Sequence, residues 1–103
     1  NDPREAANDA EQAWATATGE NDLCRRDAMQ HCIAAALLAY QCGSTCTVCA
    51  GEINEALQRD FDPMDLFNNE AGSGCPSATS VEAVSCCQTK LYSGQLSLVG
   101  DCQ

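Results

Sequence analysis

The stretch DLCRRDAMQHCIAAALLAYQC, from Asp22 to Cys42, decides the fold. Between Ala28 and Tyr40 its apolar residues run nearly all round a helical axis. In a protein with no membrane-spanning run, that pattern marks a central helix buried by its neighbours. The longest apolar run, Cys32 to Tyr40, is nine residues long, against the roughly 20 that cross a bilayer. No transmembrane segment is expected, and this helix becomes the spine of the fold.

Working outward, Asp2, Pro3 and Glu5 read as an N-cap, a first helical position and a capping-box acid. They predict a first helix from Pro3 to about Thr18. Its face of Ala6, Ala10, Ala13, Trp14 and Ala17 is narrow, with Trp14 as its one large anchor, and Gly19 supplies a left-handed stop. On the other side of the spine, Cys46, Cys49, Ile53 and Leu57 recur at helical spacing and predict a helix from about Thr45 to Gln58. From Arg59 to Ser77 the periodicity fails, and Asp, Asn, Gly and Pro accumulate. A long irregular connection is expected there, with one helical turn started by Asp62-Pro63; connections of that length are often functional. Thr79 and Glu82 form a second capping box, so a last helix should run from Ser80 to about Tyr92, burying Val81, Val84, Cys87 and Leu91. The alternation Leu96, Ser97, Leu98 suits a short extended strip over the core. The expected architecture is all-α: one domain over residues 1–103, a small disulfide-stapled bundle of about four helices.

A chain of 103 residues buries only roughly 60 to 65% of the surface it exposes when unfolded, which leaves a thin margin over chain entropy. Nine cysteines can supply the missing stability as disulfides, which points to a secreted or extracytoplasmic, oxidising location. An odd count leaves at least one sulfur over, and Cys102, next to the end, is the candidate. Cys46 and Cys49 are expected to bridge to Cys32, Cys42 or Cys24, and Cys75 to Cys86 or Cys87. No basic, apolar leader precedes the first helix, so the chain reads as mature or excised from a longer protein. Fifteen acidic against five basic residues give a formal charge of −10. The bases form no cluster beyond Arg25-Arg26, which disfavours nucleic acid as a partner.

Several side-chain groups could carry chemistry. Cys42, Cys46 and Cys49 have the C-x3-C-x2-C spacing that holds iron–sulfur clusters in radical enzymes, but those enzymes are larger α/β barrels, and six further cysteines suit oxidation better. A zinc site from these three with His31 or Cys32 lacks paired C-x-x-C knuckles. No cofactor and no metal are therefore expected. Asp27 and His31 stand one helical turn apart, which is the geometry of an acid–base pair and equally of a buried histidine satisfied by a carboxylate. Glu52 and Glu55 lie off the Cys46–Ile53 stripe, as a solvated face would. Asp62, Asp65, Asn68, Asn69 and Glu70 concentrate oxygen donors without the spacing of a helix-loop-helix calcium site, and capping explains them more simply.

Taken together, Arg26-Asp27-Ala28-Met29-Gln30-His31, Ala50 to Glu55, and Pro63-Met64-Asp65-Leu66-Phe67-Asn68-Asn69 resemble a helical domain at the C-terminal ends of bacterial Rhs-type polymorphic toxins and related secreted proteins. The resemblance covers about Asp22 to Leu98. It implies that His31 matches the histidine of the first motif, Glu55 the glutamate of the second, and Asp65, Asn68 and Asn69 the third. Asn54 and Phe67 stand where the family pattern has histidines. The resemblance implies a secreted effector domain with a polar site made of His31, Asp27, Glu55, Asp65, Asn68 and Asn69. The resemblance supplies no reaction; the side chains themselves suggest hydrolysis of a protein or cell-envelope target, with His31 as general acid or base and Glu55 or Asp65 orienting it or a water, and an immunity-type protein or a second copy is an expected partner. A secreted phospholipase would need an adjacent His-Asp pair and a glycine-rich calcium loop, both missing. The other expectation is a non-catalytic, disulfide-rich interaction or structural module.

Overall fold

The computed structural model describes residues 3–42, with Cys42 by its backbone only, then 62–100 and 102. Among the described residues there are four helices and no strand: α1 Pro3–Thr18, α2 Leu23–Cys42, α3 Pro63–Ser73 and α4 Ser80–Tyr92. The fold is all-α, and no helix among them is long and apolar enough to cross a membrane. The helix expected over 45–58, with Glu52, Asn54 and Glu55, lies outside the described residues, as do Cys46 and Cys49.

The spine is α2. Asp22 caps it by accepting from the backbone N–H groups of Cys24 and Arg25 at 2.9 and 3.1 Å, satisfying donors that the first turn leaves open. Ala28, Met29, Cys32, Ile33 and Ala36 are wholly buried, and α1, α3 and α4 all pack on them. The boundaries of α1 and α4 match the sequence expectation, and Thr79 and Glu82 form both halves of their capping box. Gly19 leaves α1 with φ at 73°, in the left-handed region that favours glycine.

The face of α1 differs from the expected one. It buries Ala7, Glu11, Trp14 and Ala15, while Ala13 and Ala17 are exposed. The helix is rotated because an acid belongs to its buried stripe. Arg26 of α2 donates to Glu11 from Nε at 2.6 Å and from Nη2 at 3.2 Å, and a carboxylate so paired can be buried. Trp14 is the expected anchor, and its Nε1–H donates to Gln88 Oε1 of α4 at 2.9 Å. In α4, Ala83, Cys87 and Leu91 are buried, whereas Val81 is 79% exposed.

The larger correction is α3. Eleven residues expected to be mostly irregular form a helix, capped by the Asp62 side chain on the Met64 N–H with Pro63 in the first turn. Its buried stripe is Met64, Asp65, Asn68, Asn69, Gly72 and Ser73. Apolar periodicity could not reveal it, because most of the residues facing inward are polar.

α3 runs alongside α2 in the same direction. Asp65 lies beside Asp27 and His31, Asn69 beside His31, and Gly72 against Cys32 and Ala35. Just beyond the helix, the Ser77 N–H donates to the Ala36 carbonyl at 3.0 Å. A Cβ at Gly72 would stand 2.2 Å from the Cys32 carbonyl oxygen, so only glycine allows the backbones to come this close.

Among the described residues three disulfides fasten the bundle: Cys24–Cys102, Cys32–Cys87 and Cys75–Cys86. The last is one of the two expected pairings. Cys102, expected to be the odd sulfur, instead ties the tail to the first turn of α2. With Cys24 and Cys32 engaged elsewhere, neither is open to Cys46 or Cys49, whose expected pairings lie outside the described residues.

Two predictions follow from this packing. In the loop-entropy view, closing the 55-residue separation of Cys32 and Cys87 stabilises by about 4 kcal/mol, and closing the 11-residue separation of Cys75 and Cys86 by about 3 kcal/mol. Urea unfolding of the paired Cys→Ala variants should rank them in that order. Gly72→Ala should lose about 3 kcal/mol or more by overpacking, and circular dichroism melts showing a wild-type midpoint would contradict the close approach.

Candidate functional site

Two helices bring the polar cluster together. α2 sets Asp27 and His31 four residues apart on one face, and α3 does the same for Asp65 and Asn69. Because α3 lies beside α2, the two pairs meet. His31 Nε2 is 3.2 Å from Asp65 Oδ1 and 3.7 Å from Asp27 Oδ1, and Nδ1 is 3.1 Å from Asn69 Oδ1. The imidazole therefore bridges the helices, with an amide on one ring nitrogen and two carboxylates at the other.

Asn69 Oδ1 beside Nδ1 favours the tautomer in which Nδ1–H donates to the amide, with Nε2 on the side of the carboxylates. Asp65 Oδ1 is shielded from solvent and accepts no hydrogen bond, although Nε2 lies within reach. The side chains of Asp65 and Asp27 are 6% and 10% exposed, and that of His31 25%. Burial pushes the Asp65 carboxyl from its usual 3.8 up to about 7. His31 pulls it down, while the hydrogen bond and charge of Asp27, and then the charge of Asp62, add to the rise. Two acids buried around one imidazole contribute little to stability, and such groups concentrate where chemistry or binding needs them. Asp27, His31 and Asp65 each offer one ligand atom, and the three atoms lie within 4.8 Å of one another, close enough to share a cation.

The other expected site residues fall elsewhere. Asn68 is wholly buried, but it clamps the tail: its amide donates to the Ser97 carbonyl at 2.9 Å, and its oxygen accepts from the Ser97 N–H at 2.7 Å. Glu55 lies outside the described residues. Phe67, one residue before Asn68, is 53% exposed and on the outer side of α3. Arg26, beside Asp27 in sequence, is turned to Glu11 of α1. The tail that Asn68 holds also supports the site, because Cys102 Sγ lies 3.8 Å from Met64 Sδ, one residue before Asp65. Of the two fourth ligands considered for a zinc set with Cys42, Cys46 and Cys49, Cys32 is taken by its disulfide with Cys87, and His31 stands among Asp27, Asp65 and Asn69.

Comparison of the chain with protein-family models, with curated proteins and with solved structures finds no match.

The raised carboxyl of Asp65 gives a pH signature. A folded-state value of about 7 means the native protein holds a proton that the unfolded chain releases near 3.8. This contribution to stability is complete below the unfolded value and disappears as the pH climbs towards 7. Asp65→Asn imitates the protonated acid, so its melting temperature should rise relative to wild type between pH 4 and pH 8 in metal-free buffer. Calorimetry showing parallel pH profiles would remove the shift.

Proposed function

We propose that this chain is an effector-type domain that acts outside the cytoplasm and hydrolyses a protein or cell-envelope target, with the His31 cluster as its reacting centre. The observation that carries the reading is the presentation of His31: Asn69 holds Nδ1, and Nε2 opens on Asp65 and Asp27 across the α2–α3 seam. In that arrangement Nε2 takes a proton from an attacking water, and the neighbouring carboxylates stabilise the imidazolium that forms. The ring's partial exposure admits solvent to it. Three disulfides support an oxidising setting, and a formal charge of −10 weighs against a phosphate-backbone target. The resemblance to Rhs-type toxin C-terminal domains supports the same assignment, on His31, Asp65 and Asn69.

A second reading, a disulfide-rich module that binds a partner or itself without catalysis, is favoured by two motif positions. Phe67 replaces a histidine and is exposed, and Asn68 is committed to the tail.

The test is growth of a bacterial host in which the oxidised domain is exported to the periplasm. Wild type should inhibit growth there, and His31→Ala at matched melting temperature should lose about 100-fold or more of its potency, the scale of general acid–base catalysis. An inert wild type, or a folded His31→Ala variant of equal potency, leaves the non-catalytic module.

A further inference from the structure

The geometry points to a binding site for one divalent first-row transition-metal ion, ligated by Asp27, His31 and Asp65. Metal–ligand bonds of about 2.1 Å at tetrahedral angles put neighbouring donor atoms about 3.4 Å apart. The separations from His31 Nε2 to Asp65 Oδ1 and Asp27 Oδ1 are 3.2 and 3.7 Å, on either side of that spacing, and all three donors fit within 4.8 Å.

A second feature is independent of spacing. Asp65 Oδ1 is buried from solvent and accepts no hydrogen bond, although a ring nitrogen of His31 lies 3.2 Å away. A buried carboxylate oxygen that no donor satisfies, grouped with a second carboxylate and an imidazole nitrogen, calls for a positive centre. Asn69 completes the design from behind. An amide accepting from the distal ring N–H fixes the tautomer and orientation of the imidazole, as outer partners of metal-bound histidines do.

The donor set narrows the ion. One imidazole nitrogen with two carboxylates suits zinc, cobalt or manganese better than calcium or magnesium, which prefer oxygen-only surroundings. Two carboxylates also balance a dication. Three protein ligands and a ring one-quarter exposed leave a coordination position for water, the mark of a catalytic rather than a structural site. A bound ion would take over from the imidazole as activator of that water. This deepens the hydrolytic reading, yet it can be tested by binding alone.

The experiment is titration of metal-free, fully oxidised protein with Co2+, followed by visible absorption and by competition with Zn2+. One equivalent should bind with d–d bands and without thiolate charge-transfer absorption. His31→Ala and Asp65→Asn should each weaken binding about 100-fold or more, and Asn69→Ala about 10- to 100-fold, as loss of an outer partner does. Circular dichroism checks folding, and Asp27→Asn replaces any variant that fails. Absence of a cobalt spectrum in folded wild type overturns the site, as does undiminished binding by folded His31→Ala. Thiolate bands would also overturn it by moving the ion to the cysteines. Cobalt bound here in a protein that is inert in the periplasm keeps the metal site and removes hydrolysis. Activity in a folded protein that binds no cobalt does the reverse.

Discussion

The contact of α3 with α2 at Gly72 governs the molecule. A glycine at that point lets one helix backbone rest on the Cys32 carbonyl, and the side chains one and two turns earlier are drawn into the same seam. There Asp65 and Asn69 meet Asp27 and His31. At an ordinary interhelical distance of 8 to 10 Å, short Asp and Asn side chains would not reach across so readily. Close backbone packing and the polar cluster therefore have one cause. The disulfides reinforce it, since Cys32, the residue Gly72 rests on, is bonded to Cys87 of α4, and the tail beyond Asn68 is fastened to the beginning of α2.

A seam of this kind works against the thermodynamics of a small domain. Of the six residues that α3 buries, Met64 is the single large apolar one. The interface lacks the hydrophobic driving force that usually joins two helices, and it holds carboxyl groups away from water. The fold tolerates this because α1 and α4 cover the rest of α2 with Trp14, Ala15, Ala83 and Leu91, and because covalent bridges restrict the unfolded chain. Apolar stability and the polar site are thus carried by different helices packed on the same spine.

This division explains what could be read in the sequence. The burial of α2 was legible from its apolar run, and α1 and α4 were legible to the residue from caps and glycine stops. The i,i+4 spacing of Asp27 and His31 was visible as well, whereas the neighbourhood of Asp65 and Asn69 to that pair is set by tertiary packing that no spacing in the sequence displays. The extent of α3 was not legible, because a helix whose inner face is Asp, Asn and Gly has the composition of a loop. Nor could the pattern separate Asn68 from Asn69. Adjacent residues on a helix point about 100° apart, and only the position of the tail decides that one clamps Ser97 while the other holds the imidazole. The face of α1 was misjudged for a related reason: Glu11 counts as solvent-facing until Arg26 is known to stand opposite it.

The placement of the disulfides has a topological consequence. Cys24–Cys102 and Cys32–Cys87 both join the chain before residue 43 to the chain after residue 61. A single protease cut anywhere in that intervening stretch would leave two polypeptides that are still one molecule, doubly cross-linked from α2 to the tail and to α4. Such a nicked form keeps all four described helices tethered until a reductant separates them, so arrival in a reducing compartment would end the life of a cleaved domain while leaving an uncut one connected.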